Sequence, residues 1–108
     1  MSKGKLVLLP FPFTDLSGHK VRPALVLYNS KKGEDCIVAF ISSLTQKKMN
    51  AFDVPVGASI INGLKQNSVI KLDKIATLQK KTVLGQIGIL ERAILSTVDK
   101  KLKMLFEL

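Results

Sequence analysis

Val21–Ser43 reads VRPALVLYNSKKGEDCIVAFISS. Two apolar runs, Pro23–Tyr28 (PALVLY) and Ile37–Ile41 (IVAFI), flank the polar stretch NSKKGED, which has Gly33 at its middle. Successive apolar positions put hydrophobic side chains on both faces of each run, as in a strand covered on both sides of its sheet. The polar stretch is a turn of hairpin character, so the two runs are predicted to pair antiparallel as central strands.

Outward from this hairpin, Gly4–Phe13 is apolar but carries Pro10 and Pro12, which suit an edge strand or a strand running into a loop. Residues 14–21 (TDLSGHKV) hold the turn formers Asp15, Ser17 and Gly18 and are predicted to be an exposed connection. Residues 43–50 (SLTQKKMN) are polar, AFDVPV after them reads as a short strand, and SIINGL at 59–64 fits no single element. In NSVIKLD at 67–73, Val69, Lys71 and Asp73 alternate with Ser68, Ile70 and Leu72, a half-buried strand with Lys71 and Asp73 side by side on one face. The period then changes. Leu90, Ile94, Val98, Leu102 and Leu105 form the stripe of an amphipathic helix, with Lys100, Lys101 and Lys103 largely off it and near the negative end of its dipole. The expected architecture is a mainly β, barrel-like domain of five to seven short strands closed by one helix.

The 108 residues suffice for one core, and residues 1–108 are read as a single domain. The start MSKGKLVLLPFPF superficially resembles a secretory signal, but its apolar run is broken by Pro10 and Pro12 and no small-residue cleavage site follows. No run approaches a membrane span, and the one cysteine, Cys36, sits in an apolar run as a core residue. The expectation is a cytoplasmic protein. The net charge of +9 is spread over both halves of the chain, and such a field favours polyanions or an acidic partner, the alternative being lysines that only keep the chain soluble.

Signatures of nucleotide, zinc or serine-hydrolase chemistry are absent from the sequence. What the chain does offer is a guanidinium, Arg22, among only two arginines against fifteen lysines. A guanidinium is planar, permanently charged and able to grip two phosphate oxygens at once. With His19, Lys71, Asp73 and the hydroxyls of Ser42 and Ser43 it supplies the roles that RNA cleavage requires: a base for the 2′-hydroxyl, donors for the phosphorane oxygens and an acid for the departing 5′-oxygen.

GKLVLLPFPFTDLSGHKVRPALVLYNS, CIVAFISS and GLKQNSVIKLDKIATL, followed by the terminal helix, resemble the MazF/PemK-like toxins of type II toxin–antitoxin modules over nearly the whole chain. VRPALVL joined to IVAFISS at hairpin distance carries most of the resemblance. It implies an SH3-like β-barrel, a symmetric homodimer, cleavage of single-stranded RNA without metal or other cofactor to leave a 2′,3′-cyclic phosphate and a 5′-hydroxyl, and a cognate antitoxin. Arg22 matches the catalytic arginine before the proline, and Ser42 the position usually held by threonine. Asp73 matches an acidic position used in proton transfer by some members, Lys71 stands where those members carry arginine, and His19 follows Gly18 as a histidine does in part of the family. Lys20, Ser43, Gln46, Lys47, Lys74 and Thr77 flank these positions and are the candidate RNA contacts. Two residues depart from the pattern: Lys5 stands at an often acidic position and Ala76 where an arginine is common.

Plainer roles exist for each. Arg22 can end a strand with its charge in water, Ser42 can satisfy a turn, Lys71 and Asp73 can form an exposed ion pair worth under about 1 kcal/mol, and His19 can be solvated. Two other functions share the same barrel: a CcdB-like inhibitor that binds DNA gyrase, and a catalytically silent module that binds antitoxin or RNA.

Overall fold

The computed structural model describes residues 1–11, 20–44 and 49–108. Six strands, β1 (Lys5–Phe11), β2 (Lys20–Asn29), β3 (Asp35–Ser43), β4 (Asp53–Val56), β5 (Ser68–Gln79) and β6 (Gly85–Ile89), precede one helix, α1 (Arg92–Leu105). They make one curled antiparallel sheet in the order β4-β5-β3-β2-β1-β6, a half-barrel whose first and last members are β4 and β6.

The predicted hairpin is β2–β3, with Ala24 opposite Phe40 and Val26 opposite Val38. The Ser30 N–H donates to the Asp35 carbonyl across the turn, and Ser30 Oγ accepts from the Gly33 N–H at 2.8 Å. Apolar residues on both faces of these strands have a counterpart in two cores. One gathers Leu6, Leu25, Ala39, Ile41, Ile70 and Leu72 with Leu90 and Val98. The other gathers Val7, Leu9, Ala24, Val26, Cys36 and Val38, with Phe40 packed against it. Alternate residues of β1, β2 and β3 feed the two clusters, as the two-residue pleat requires. Ile94 and Leu102 of the predicted stripe pack on the first cluster, so α1 covers that face. No helix among the described residues is long and apolar enough to cross a membrane.

Three expectations are corrected. Of the two readings of the N-terminal prolines, the edge strand is overturned, since β1 lies between β2 and β6. Pro10 is tolerated because β6 pairs only with Lys5–Leu8, so the proline's missing donor falls beyond the end of that ladder. The strand begun by NSVIKLD runs on to Gln79, and its pairing with β3 jumps from Phe40 opposite Lys71 to Ala39 opposite Ile75. Residues 72–74 are therefore extra on β5, a bulge that bends the strand. Finally, Lys71 and Asp73 are not an ion pair. Lys71 Nζ lies 3.1 Å from Asp53 Oδ2, because β4 pairs with β5 on that side and sets Asp53 opposite Lys71.

Candidate active site

Cross-strand register assembles the site. Leu9 pairs with Arg22, and Leu9 belongs to the second core, so Arg22 stands on that core's face of the sheet. The β2–β3 ladder ends at Ala24 opposite Phe40; two residues beyond that pair on each strand, Arg22 and Ser42 lie on its face of the sheet by the two-residue alternation. Ser42 pairs in turn with Val69, and Phe40 with Lys71. Lys71 is thus the diagonal neighbour of Ser42 on the same face, about 7–8 Å away. Arg22 and Ser42 are both half-buried at the sheet's rim, so a guanidinium, a hydroxyl and an ammonium stand on one face of three adjacent strands.

A turn before β4 holds the acidic part. Asp53 is 2% exposed, and its Oδ2 accepts from Lys71 Nζ and from the Asn50 N–H at 3.0 Å. Asn50 Nδ2 donates to Asp73 Oδ2 at 3.3 Å. Asp73 itself is exposed and belongs to the extra residues of the bulge.

Beside this row a cleft of about 480 Å³ is bordered by Lys20, Arg22, Ser43, Lys65, Gln66 and Ser68 over an apolar floor that includes Leu8, Ile41 and Leu64. Gln66 Nε2 donates to Ser43 Oγ at 2.6 Å, and Ser68 Oγ donates to the Gln66 carbonyl at 2.8 Å. The wall carrying Lys65 and Gln66 hangs from Asn62, which is fully buried. Asn62 Oδ1 accepts from the N–H groups of Ser59 and Leu64. Its Nδ2 donates to the Gly57 carbonyl and to Glu91. Ser59 Oγ donates to Glu91 Oε2 at 2.6 Å.

That hydroxyl, ahead of a smaller opposing effect of burial, holds the Glu91 carboxyl below its ordinary range, with a further lowering from Asn62. A carboxylate stabilised in the folded state releases more protons there than in the unfolded chain. Its contribution is therefore complete at neutral pH, above the unfolded value of about 4.3, and is lost as the pH falls through the lower folded value. Glu91→Gln should flatten the acid limb of a plot of thermal midpoint against pH below about pH 4.5. An acid limb unchanged in the variant would show that other carboxylates govern it.

Of the sequence-derived candidates, Arg22, Ser42 and Lys71 share one face, Lys20, Arg22 and Ser43 border the cleft, and Asp73 is joined to the Lys71 pair through Asn50. Lys74 is an exposed residue of the bulge. Thr77 pairs with Ile37, five residues along β3 from Ser42 and hence ~16 Å away. His19, Gln46 and Lys47, with most of the two connections at 14–21 and 43–50, lie outside the described residues. Sequence reasoning missed Asp53, Lys65 and Gln66. Asp53 reads only as part of a short strand, and Lys65 and Gln66, between the stretches 59–64 and 67–73, carry no element or role in the sequence reading; no spacing rule says which such side chain meets a neighbouring strand.

Solved structures share this fold. A Mycobacterium tuberculosis toxin, MazF-mt6, superposes with a TM-score of 0.77 at 25% identity, covering 96% of this chain and 97% of its own. A chain of a MazE–MazF structure from Deinococcus radiodurans gives 0.79 at 25% identity, covering 100% and 97%. An endoribonuclease solved with its cognate antitoxin from a mycobacterial species gives 0.78 at 18% identity, covering 100% and 96%, a likeness of fold alone. No curated protein sequence matches the chain. The half-barrel with its capping helix is the fold of the MazF toxins. Residues 2–106 match the family described as PemK-like, MazF-like toxins of type II toxin–antitoxin systems, and the chain belongs to that family.

Proposed function

We propose that the chain is the endoribonuclease toxin of a type II toxin–antitoxin module and cuts single-stranded RNA by 2′-hydroxyl attack without a metal ion. The observation that carries this reading is the sharing of one sheet face by Arg22, Ser42 and Lys71 in adjacent rows. Attack forms the bond from the 2′-oxygen to phosphorus and breaks the bond to the 5′-oxygen. The proton leaving the 2′-hydroxyl goes to a base, and an acid protonates the 5′-oxygen, giving a 2′,3′-cyclic phosphate and a 5′-hydroxyl. Arg22 holds two non-bridging oxygens as negative charge builds on them, and the Ser42 hydroxyl donates to the same phosphate. Lys71, Asp73 and His19 supply the proton transfers. Lys20 and Ser43 at the cleft, with Gln46, Lys47, Lys74 and Thr77, bind the flanking nucleotides.

The partners proposed are an antitoxin and a second copy of the chain. The Deinococcus relative is a MazE–MazF structure and a mycobacterial one contains a cognate antitoxin, which supports the first. Exposed Ile89 of the outer strand β6 and Leu84 just before it, with Ile60 and Ile61 at the neighbouring turn, leave apolar surface that a second subunit would cover.

Purified chain incubated with a long single-stranded RNA in EDTA is expected to produce discrete cuts, mapped by primer extension, with 2′,3′-cyclic phosphate ends. It is expected to elute as a dimer at low concentration. Cleavage only after a divalent metal is added would overturn the chemistry. An uncut RNA with antitoxin binding intact would mark the silent binding module instead, and a monomer at micromolar concentration would remove the dimer.

A further inference from the structure

We propose that Asp53 is a positioning residue for the cleavage site, holding the Lys71 ammonium through its own carboxylate and Asp73 through Asn50. The proposal rests on the endoribonuclease reading above and assigns a role to a residue that neither the sequence nor the family pattern singled out.

A carboxylate is rarely buried to the extent of Asp53 unless it is paired, and an ion pair taken out of water adds little net stability over an apolar substitute. Asp53 is nevertheless 2% exposed on the edge strand β4, with Oδ2 bound by Lys71 Nζ and the Asn50 N–H. Its Oδ1 is buried and accepts no hydrogen bond among the described residues. The turn that carries it is fixed on several sides. Asn50 Oδ1 accepts from the Phe52 N–H at 2.8 Å, the Leu72 N–H donates to the Phe52 carbonyl, and Lys101 Nζ donates to the Asp53 carbonyl at 2.9 Å.

Lys71 and Asp73 would otherwise be independent. A lysine stem has four rotatable carbons, and Asp73 sits on a bulge. Through this one turn both are tied to the same rigid segment, and the Lys71 side chain is still about one third exposed, at 34%. An ammonium has three donors. One faces Asp53, which leaves two for a phosphodiester lying along the Arg22–Ser42 row.

The experiment compares single-turnover cleavage by wild type, Asp53→Asn, Asp53→Glu, Lys71→Met and the Asp53→Asn/Lys71→Met double variant. RNA affinity and thermal midpoint are measured alongside. Asparagine keeps the volume of Asp53 and loses only the charge that tethers Lys71. The expected result is a 10- to 100-fold loss of the chemical rate in Asp53→Asn, as displacement by about 1 Å produces, with RNA affinity within about twofold. Asp53→Glu should recover part of the rate. In the Lys71→Met background the same change should cost no further rate, because the asparagine oxygen still accepts from the Asn50 N–H and keeps the link to Asp73, and the Lys71 tether is already gone. Wild-type rate in Asp53→Asn, or a loss that multiplies fully with that of Lys71→Met, overturns the inference. Lys71→Met cutting at wild-type rate also overturns it. Wild-type protein that cuts no RNA overturns the endoribonuclease reading instead, and the positioning role falls with it.

Discussion

Arg22→Ala is expected to lower RNA cleavage by about a thousandfold or more while leaving the chain folded. Removing one preorganised donor from a developing oxyanion typically costs 10²–10³-fold, and here a single side chain is assigned two such contacts and a full charge. Fold is spared because Arg22 is half-buried at the rim of the sheet, outside both apolar clusters. Arg22→Lys separates charge from shape. It keeps the cation but not the planar fork, so it should recover only a minor part of the loss. Single-turnover rates on a mapped RNA, with circular dichroism of each variant, decide the matter. Arg22→Ala cutting within tenfold of wild type would remove the guanidinium from the chemistry.

The largest effect on stability is expected from Gly63→Ala. Gly63 has φ +73°, and a Cβ built there would lie 2.1 Å from the Ile87 carbonyl oxygen and 2.8 Å from its carbon. Both are main-chain atoms of β6, so nothing can rotate away. Gly88 is pressed from the other side, with its own added Cβ 2.3 Å from the Asn62 carbonyl. Relief requires the turn to separate from β6, breaking the bond from the Ile89 N–H to the Ile61 carbonyl and disturbing the buried Asn62 network. We expect a loss of about 4 kcal/mol, in the range reserved for a named steric or buried-polar fault. That is a large share of the 5–15 kcal/mol typical of a domain. The cleft wall bearing Lys65 and Gln66 should be lost with it. Gly85→Ala is the control, since a Cβ there meets nothing within 4 Å, and its denaturation midpoint should stay near that of wild type. A stable, wild-type-like Gly63→Ala would mean that the turn and β6 do not interlock.

Much of the fold was legible because its signals are local. The hairpin of Pro23–Tyr28 and Ile37–Ile41 is legible from apolar runs that fill two cores, and α1 from a stripe with helical period. The second half of β5 and all of β6 were not. KIATLQ follows a bulge that shifts its pairing by three residues, and GQIGI has too few apolar positions to alternate visibly. Asp53 illustrates the harder case. In AFDVPV it reads as one polar residue of a short strand, and only its placement opposite Lys71 makes it a buried partner.

The sequence alone determined the two central strands, the capping helix, the basic charge and the odd arginine before a proline, because each depends on residues within a few positions of one another. Tertiary structure decided which of those residues meet. The pleat of β2 and β3 sets Arg22 and Ser42 on one face of the sheet, and the β5 bulge separates Lys71 from Asp73. β4 then gives Lys71 a different carboxylate, and Asn62 folds Lys65 and Gln66 over the cleft. Each of these is a contact between strands or turns distant in the chain. A shift of one residue in register would turn every side chain to the opposite face.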